Sequence, residues 1–224
     1  MILSCVQPSY LAWIPFFKRI RSGDIFVYLD DVEYSKNSFH NRNYVKGAQG
    51  KILLTVPVKY KGHGREYISE FPINSEINWE KKHWRSIEMN YRKAPYFTDL
   101  GNVVYDQIYA RTWDFLGDLS VTFIELIKNY LGISQKTYRS SKLEVKSQGN
   151  QKLVDLCKHL GADSFLVKPN TESYHPKAFF KEQGIRLVSF DPEPTPYPQN
   201  YGDFIPNLSA LDYAMNCGPG KLYW

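Results

Sequence analysis

Apolar residues along the chain come in two rhythms, short unbroken runs and stripes at helical spacing. Ile2 to Val6 is an apolar run that stops at Gln7-Pro8, and Asp24 to Leu29 holds a second, bounded by Gly23 and by Asp30-Asp31. Runs of that length, closed by a residue that cannot continue a ladder, read as buried strands. Between them Leu11, Ile14, Phe17 and Ile20 recur at helical spacing, with Ser9 placed as a cap and Pro15 placed to distort the first turns or delay the start. Strand, helix and strand joined by short returns make a βαβ unit, hence a parallel sheet.

The same rhythms extend the picture downstream. Helices are predicted over Trp79 to Tyr91, with Asn78 near the start and Trp84, Ile87 and Tyr91 on one stripe, and over Leu116 to Leu131, closed by Gly132. A third runs from Lys152 to Leu160 with Leu153, Leu156 and Cys157 inward and Gly161 as its cap, and a short fourth covers Ala178 to Gln183. Strands are predicted at Lys51 to Val58, Ser164 to Val167 and Ile185 to Phe190, while Pro192 to Pro198 suits a surface wrap better than a regular element. The pattern defines an α/β protein: a Rossmann-like parallel sheet with flanking helices and an aromatic, proline-rich C-terminal extension. Residues 1–224 are expected to form a single domain, with 76–135 as a possible helical sub-lobe.

Composition narrows the function classes. With 17 Tyr, 13 Phe and 5 Trp in 224 residues, the chain has aromatic surface to spare for sugar or nucleotide pockets as well as for a core. Lys and Arg exceed Asp and Glu by 28 − 23 = 5, scattered in short groups such as Lys18-Arg19 and Lys81-Lys82, a balance that suits an anionic small molecule. No arginine tract, zinc finger or basic zipper is present, so nucleic acid is not an expected partner. Three cysteines without a C-x-x-C pair point to a reducing compartment. No apolar run approaches the roughly 20 residues of a membrane helix and no signal peptide pattern opens the chain, so a cytoplasmic protein without a membrane span is expected. The phosphate-loop, dinucleotide, nucleophile-elbow and zinc-protease motifs are all missing.

Candidate chemistry gathers where strands end, because parallel sheets collect ligands at their carboxyl edge. Gln7, offering an amide, and Asp30-Asp31 would lie there, with Tyr10 and Trp13 as an aromatic wall for a base or sugar. Asp30-Asp31 is a lone acidic pair of the kind that commonly just ends a strand, and no metal is expected. The polar stretch from Tyr34 to Lys46 crowds His40, Asn41, Arg42 and Asn43 together, either as a self-satisfied loop or as a binding loop in which Arg42 holds a phosphate or carboxylate and the asparagines fix hydroxyls or amides. A second such loop, Lys168 to Pro176, brings Lys168, Asn170 and Tyr174 directly after a strand end. His83 lies among basic residues expected to lower its pKa and leave it able to accept a proton, with packing as the alternative role. Cys217 is a weaker candidate, since unpaired buried cysteines are usually structural.

These pieces, in their order and spacing, resemble the WbqC-like family of bacterial proteins. The resemblance rests on Gln7-Pro-x-Tyr-Leu-x-Trp13, Asp24 to Asp31, Asn41-Arg-Asn43, Leu54-Thr-Val-Pro-Val58 and Trp79 through Phe97, then on Arg139-Ser140-Ser141, Leu160-Gly-Ala162, Tyr197-Pro-Gln199 and Phe204 to Ser209. It implies a place in surface-polysaccharide and O-antigen gene clusters, where sugars are modified while attached to nucleotides. Three readings follow. The first is acyl or aminoacyl transfer to the amine of a nucleotide-linked sugar, with His83 or Asp31 as base, Asn41 or Asn43 as oxyanion donors, and Arg42 or Arg139 as phosphate clamps. The donor would be an acyl thioester, brought by an acyl carrier protein for example, or an adenylate. Ser140, Ser141 and Gln199 join the expected substrate-binding set through the motifs they stand in. The second is nucleotidyl transfer or adenylate formation in a Rossmann-like pocket, the phosphate held by Lys36, Arg42 or Lys168 in place of the histidines that class I nucleotidyltransferases use. The third is a non-catalytic sugar-nucleotide-binding or assembly factor.

Overall fold

The computed structural model describes residues 1–220 other than Gly64, Glu172, Pro192 and Pro194. Five strands, β1 (Ile2–Val6), β2 (Ile25–Tyr28), β5 (Lys136–Arg139), β6 (Ser164–Val167) and β7 (Arg186–Ser189), form one sheet in the order β5-β2-β1-β6-β7. Every pairing is parallel. The chain winds outward from β1 through β2 to β5, then returns past β1 to add β6 and β7 on the other side. That reversal makes the sheet doubly wound, and its carboxyl edge is where ligands of such folds bind. Between β2 and β5 the chain makes a long excursion through the antiparallel hairpin β3 (Arg42–Gly47) and β4 (Gly50–Thr55) and the helices α2 (Trp79–Tyr91), α3 (Phe97–Val104) and α4 (Leu116–Tyr130).

Side-chain alternation along the strands sends two sets of apolar residues to opposite faces. Leu3, Cys5, Val27, Phe165 and Val167 pack with Leu153, Val154, Leu156 and Cys157 of α5 (Gly149–His159) and Phe180 of α6 (Lys177–Glu182). The other face carries Phe26 and Tyr28, which pack with α1 (Ile14–Arg21), α4 and α7 (Ala210–Cys217) in the larger core, and α2 and α3 belong to that same cluster. All eight residues of α7 are buried. Among the described residues no helix is long and apolar enough to cross a membrane.

Several expectations change in detail. Helix α1 begins at Ile14 with Trp13 as its N-cap, so Ser9 does not cap it, and Pro15 sits in the first turn. There its missing N–H costs nothing, because the first amides of a helix have no carbonyl partner within it. The polar stretch 34–46 is half strand, since Arg42–Gly47 pairs with Gly50–Thr55. Strand β5, helices α3 and α7, and a single π turn at Tyr105–Tyr109 are additions to the predicted elements. The expected surface wrap at 192–198 and the loop 168–176 include Pro192, Pro194 and Glu172, which lie outside the described residues, but Tyr197 within the wrap is buried.

Gly117 near the start of α4 lies against the one-turn 3₁₀ segment Ile68–Glu70, and a Cβ there would stand 2.7 Å from Ser69 Cα and 2.9 Å from the Ile68 carbonyl oxygen. Both are backbone atoms, so the turn itself would have to move. Gly117→Ala is expected to cost about 1–3 kcal/mol in urea unfolding.

Candidate functional site

The register of β2 against β5 builds the site. Tyr28 pairs with Arg139, so the two chains leave the sheet side by side and carry Asp30-Asp31 next to Ser140-Ser141. Asp30 is fully buried and collects donors: Arg139 Nε at 2.5 Å, the Ser141 amide at 2.9 Å and the Ser141 hydroxyl at 2.8 Å. Arg139 bridges onward, its Nη1 lying 2.5 Å from Asp118 Oδ1. Burial alone would depress the Arg139 guanidinium, but its hydrogen bonds to Asp118 and Asp30 outweigh that and raise its pKa. This arginine is spent between two carboxylates rather than held ready as a phosphate clamp.

Asp31 faces the other way. Its carboxylate accepts from the Ser140 hydroxyl and pairs with Lys152 Nζ on α5. Both groups open onto a cavity of about 490 Å³ over the carboxyl ends of β2 and β5. One wall is the 3₁₀ segment with Tyr67 and Ser69, another is the stretch from Leu143 to Gly149 leading into α5, and the floor is Asp31, Ser140 and Ser141. Helix α5 starts with Gly149 at φ +57, and Gln148 makes no side-chain cap there. The cavity thus offers three carboxylates (Asp31, Glu33 and Glu70), two ammonium groups (Lys146 and Lys152) and several hydroxyls, a set fitted to a polar, hydroxylated ligand. Among the described residues no group of three or more His, Cys, Asp or Glu side chains converges as a metal site would.

The other predicted residues sit elsewhere. Gln7, at the end of β1, accepts from His40 Nε2 at 2.8 Å, while His40 Nδ1 accepts the Ser35 amide at 3.3 Å; burial lowers the His40 pKa to about 4. Asn41 donates to the Val56 carbonyl at 2.7 Å, and Asn43 donates to the Leu11 carbonyl at 2.7 Å and accepts the Tyr44 amide. Arg42 closes its own loop on the Ser38 carbonyl at 3.0 Å. The self-satisfied alternative therefore describes residues 41–43. Lys36 lies 4.7 Å from the centroid of the Tyr60 ring. Gln199 accepts from Lys46 Nζ and exchanges two hydrogen bonds with the Ile205 backbone, clasping the C-terminal segment to β3. Lys168, Asn170 and Tyr174 are exposed, and their loop is tied to α5 through Asn150, which donates to the Tyr174 carbonyl and meets His175 Nδ1.

His83 and Tyr10 share a buried cluster. The backbone hydrogen bond to Thr55 leaves His83 Nδ1 to accept from the Tyr10 hydroxyl at 2.8 Å, and that hydroxyl meets Tyr109 at 2.7 Å. The His83 pKa falls to about 4, as anticipated in direction, but burial is the cause and not basic neighbours. Tyr10 is fully buried, so it walls no open pocket, whereas Trp13 remains partly exposed. Of the predicted set, Asp30, Asp31, Arg139, Ser140 and Ser141 come together; Asn41, Asn43, His83 and Gln199 hold backbone or core. Sequence reading missed Lys152, Ser69 and Tyr67. For Lys152 a signal existed: it stands four residues before Leu156 on the inward stripe of its helix, where a lysine needs an anionic partner.

A doubly wound α/β protein with a polar, charge-bearing cavity at the carboxyl edge of its sheet is the class that fold and site define. A profile of the WbqC-like protein family matches residues 7–223, and the chain belongs to that family. It is 32% identical over 217 residues to the uncharacterized protein Rv1507c of Mycobacterium tuberculosis, a match spanning 96% of this chain and 94% of that one. No solved structure matches it.

Proposed function

We propose that the protein is an enzyme of bacterial surface-polysaccharide assembly that transfers an acyl or aminoacyl group to the amine of a nucleotide-linked sugar in the cavity over β2 and β5. The observation that carries this reading is the convergence of Asp31, Lys152, Ser140 and Ser141 on one polar cavity at the sheet's ligand edge. In the step, the sugar amine attacks the acyl carbonyl of a thioester or adenylate donor. The new C–N bond forms, the bond to the thiolate or phosphate leaving group breaks, and the amine's surplus proton passes to the Asp31 carboxylate. Lys152 sets the carboxylate's position and brings positive charge to the phosphate or the oxyanion, and Ser69 and Ser141 are placed to receive sugar hydroxyls. His83 and Asn41 act in this scheme as supports of the β3–β4 hairpin. The protein's partners in this reading are a nucleotide-linked sugar as acceptor and an acyl carrier protein or adenylate as donor, in a cytoplasmic setting.

The test is transfer from acyl thioesters and acyl adenylates to a panel of amino-sugar nucleotides, read by mass spectrometry. Asp31→Asn is expected to lower the rate by at least about a hundredfold with the fold intact, as loss of a general base does. Equal rates in wild type and Asp31→Asn would remove the assignment. The second reading, nucleotidyl transfer or adenylate formation, draws on the doubly wound strand order and the uncapped α5 start. It is favoured instead if ATP or CTP with magnesium raises the melting temperature while sugar nucleotides do not.

A further inference from the structure

A second pocket, of about 390 Å³, shares no lining residue with the first and does not depend on the reaction proposed there. Its walls are aromatic: Trp13 at the head of α1, Phe39 in the turn before β3, and Tyr44 on β3. Ser9, Lys51 and Asn207 add hydroxyl, ammonium and amide groups. Three segments far apart in sequence meet here, and hydrogen bonds fix each to the next. The Ser209 amide donates to the Tyr44 carbonyl, the Ala210 amide to the Ala12 carbonyl, and the Asn43 side chain to the Leu11 carbonyl. Leu11 itself takes φ +51, a left-handed backbone that a leucine adopts only under constraint. Strain of that kind is kept where surroundings over-determine it. Its effect is to turn the chain so that Trp13 stands at the pocket while Leu11 and Ala12 stay buried.

The ring geometry selects the ligand. Phe39 and Tyr44 lie 6.2 Å apart at 54°, a tilted corner rather than the parallel slot a flat nucleobase would enter. A puckered ring studded with C–H bonds fits such a corner, because its polarised hydrogens meet the negative faces of the aromatics. Hydroxyls around its rim then need donors and acceptors, which Ser9, Asn207 and Lys51 supply. The Lys51 ammonium lies over the Tyr44 ring, 5.6 Å from its centroid, so that cation and the aromatic wall border the same space. The volume stands near the small end for ligand pockets and suits one or two sugar units. We propose that this pocket is a saccharide-binding site that stacks a neutral hexopyranose on Trp13, Phe39 and Tyr44.

The site is tested by saturation-transfer NMR with methyl glucopyranoside, methyl galactopyranoside and N-acetylglucosamine. At least one should show saturable binding in the millimolar range, with the strongest transfer to ring C–H protons of one face. Phe39 is 55% exposed, so Phe39→Ala can be made without loss of core and is expected to weaken binding about tenfold. Asp31→Asn should leave it unchanged. Absence of saturable transfer from all three sugars, insensitivity to Phe39→Ala and Tyr44→Ala alike, or loss of binding in Asp31→Asn would each overturn the proposal, whereas failure of acyl transfer would not bear on it.

Discussion

Asp30→Ala is expected to destabilise the protein by about 3–4 kcal/mol, seen as a fall of roughly 1 M or more in the urea midpoint. The carboxylate is fully buried and accepts from Arg139 Nε, the Ser141 amide and the Ser141 hydroxyl at 2.5–2.9 Å. Removing it takes the buried partner from a guanidinium that is only 22% exposed, leaving it Asp118 alone, and leaves an inward-facing amide without its acceptor. Asp30→Asn should cost nearly as much, because both carboxylate oxygens accept and an amide must turn its NH2 either toward Arg139 or toward the Ser141 amide. Asp118→Ala provides the contrast: it breaks the other half of the same bridge, but its side chain is 49% exposed and the cost should stay below about 1 kcal/mol. If the two variants were equally mild, the hub would lie at Arg139 and not at Asp30. Since Asp30 also anchors Ser140 and Ser141, its loss should loosen the floor of the first cavity and reduce ligand binding there even under conditions where the chain stays folded.

The elements that could be read from the sequence are those whose burial is one-sided or whose ends carry a chemical stop. Ile2–Val6 ends on Gln7-Pro8, and Trp79–Tyr91 has Asn78, whose side chain accepts from the Lys81 amide, to begin it. Helix α7 was invisible for the opposite reason. Every residue from Ala210 to Cys217 is buried, the polar pair Asp212 and Asn216 included, so its polar residues do not mark a solvent face. The hairpin strand Arg42–Gly47 hid behind its polar residues, because Asn41 and Asn43 spend their amides on carbonyls at Val56 and Leu11 that only the fold brings near. The candidate site was legible by halves. Asp30-Asp31 announced itself as a strand end, but its partners Arg139 and Lys152 are 109 and 121 residues further on. Parallel pairing of β2 with β5 is what joins them, and no local pattern specifies which strand will lie beside β2.

Stability should fall steeply between about pH 6.5 and pH 4, chiefly because two histidines are buried in the neutral form. His40 and His83 each have a folded pKa lowered by burial from 6.5 to about 4. Above about pH 6.5 neither form of the chain carries these protons, and the full contribution is present. As pH falls below that value the unfolded chain takes up protons that the folded one refuses, so the balance shifts toward unfolding until the folded pKa is reached. From pH 7 to pH 4.5 the loss is roughly 2 kcal/mol for each histidine. Asp212 works in the opposite direction. Burial raises its pKa against the hydrogen bonds from Tyr91 and Tyr197, so its protonation on acidification favours the folded state and softens the decline. Urea unfolding at the two pH values measures the net change, and His83→Gln, which cannot take up a proton, should recover about half of the histidine share. In wild type the His83 ring proton resonances should not titrate above about pH 5. A titration near pH 6.5 would mean that the ring is hydrated, and the chain from Tyr109 through Tyr10 to His83 would then be an open path to solvent and not a sealed part of the core.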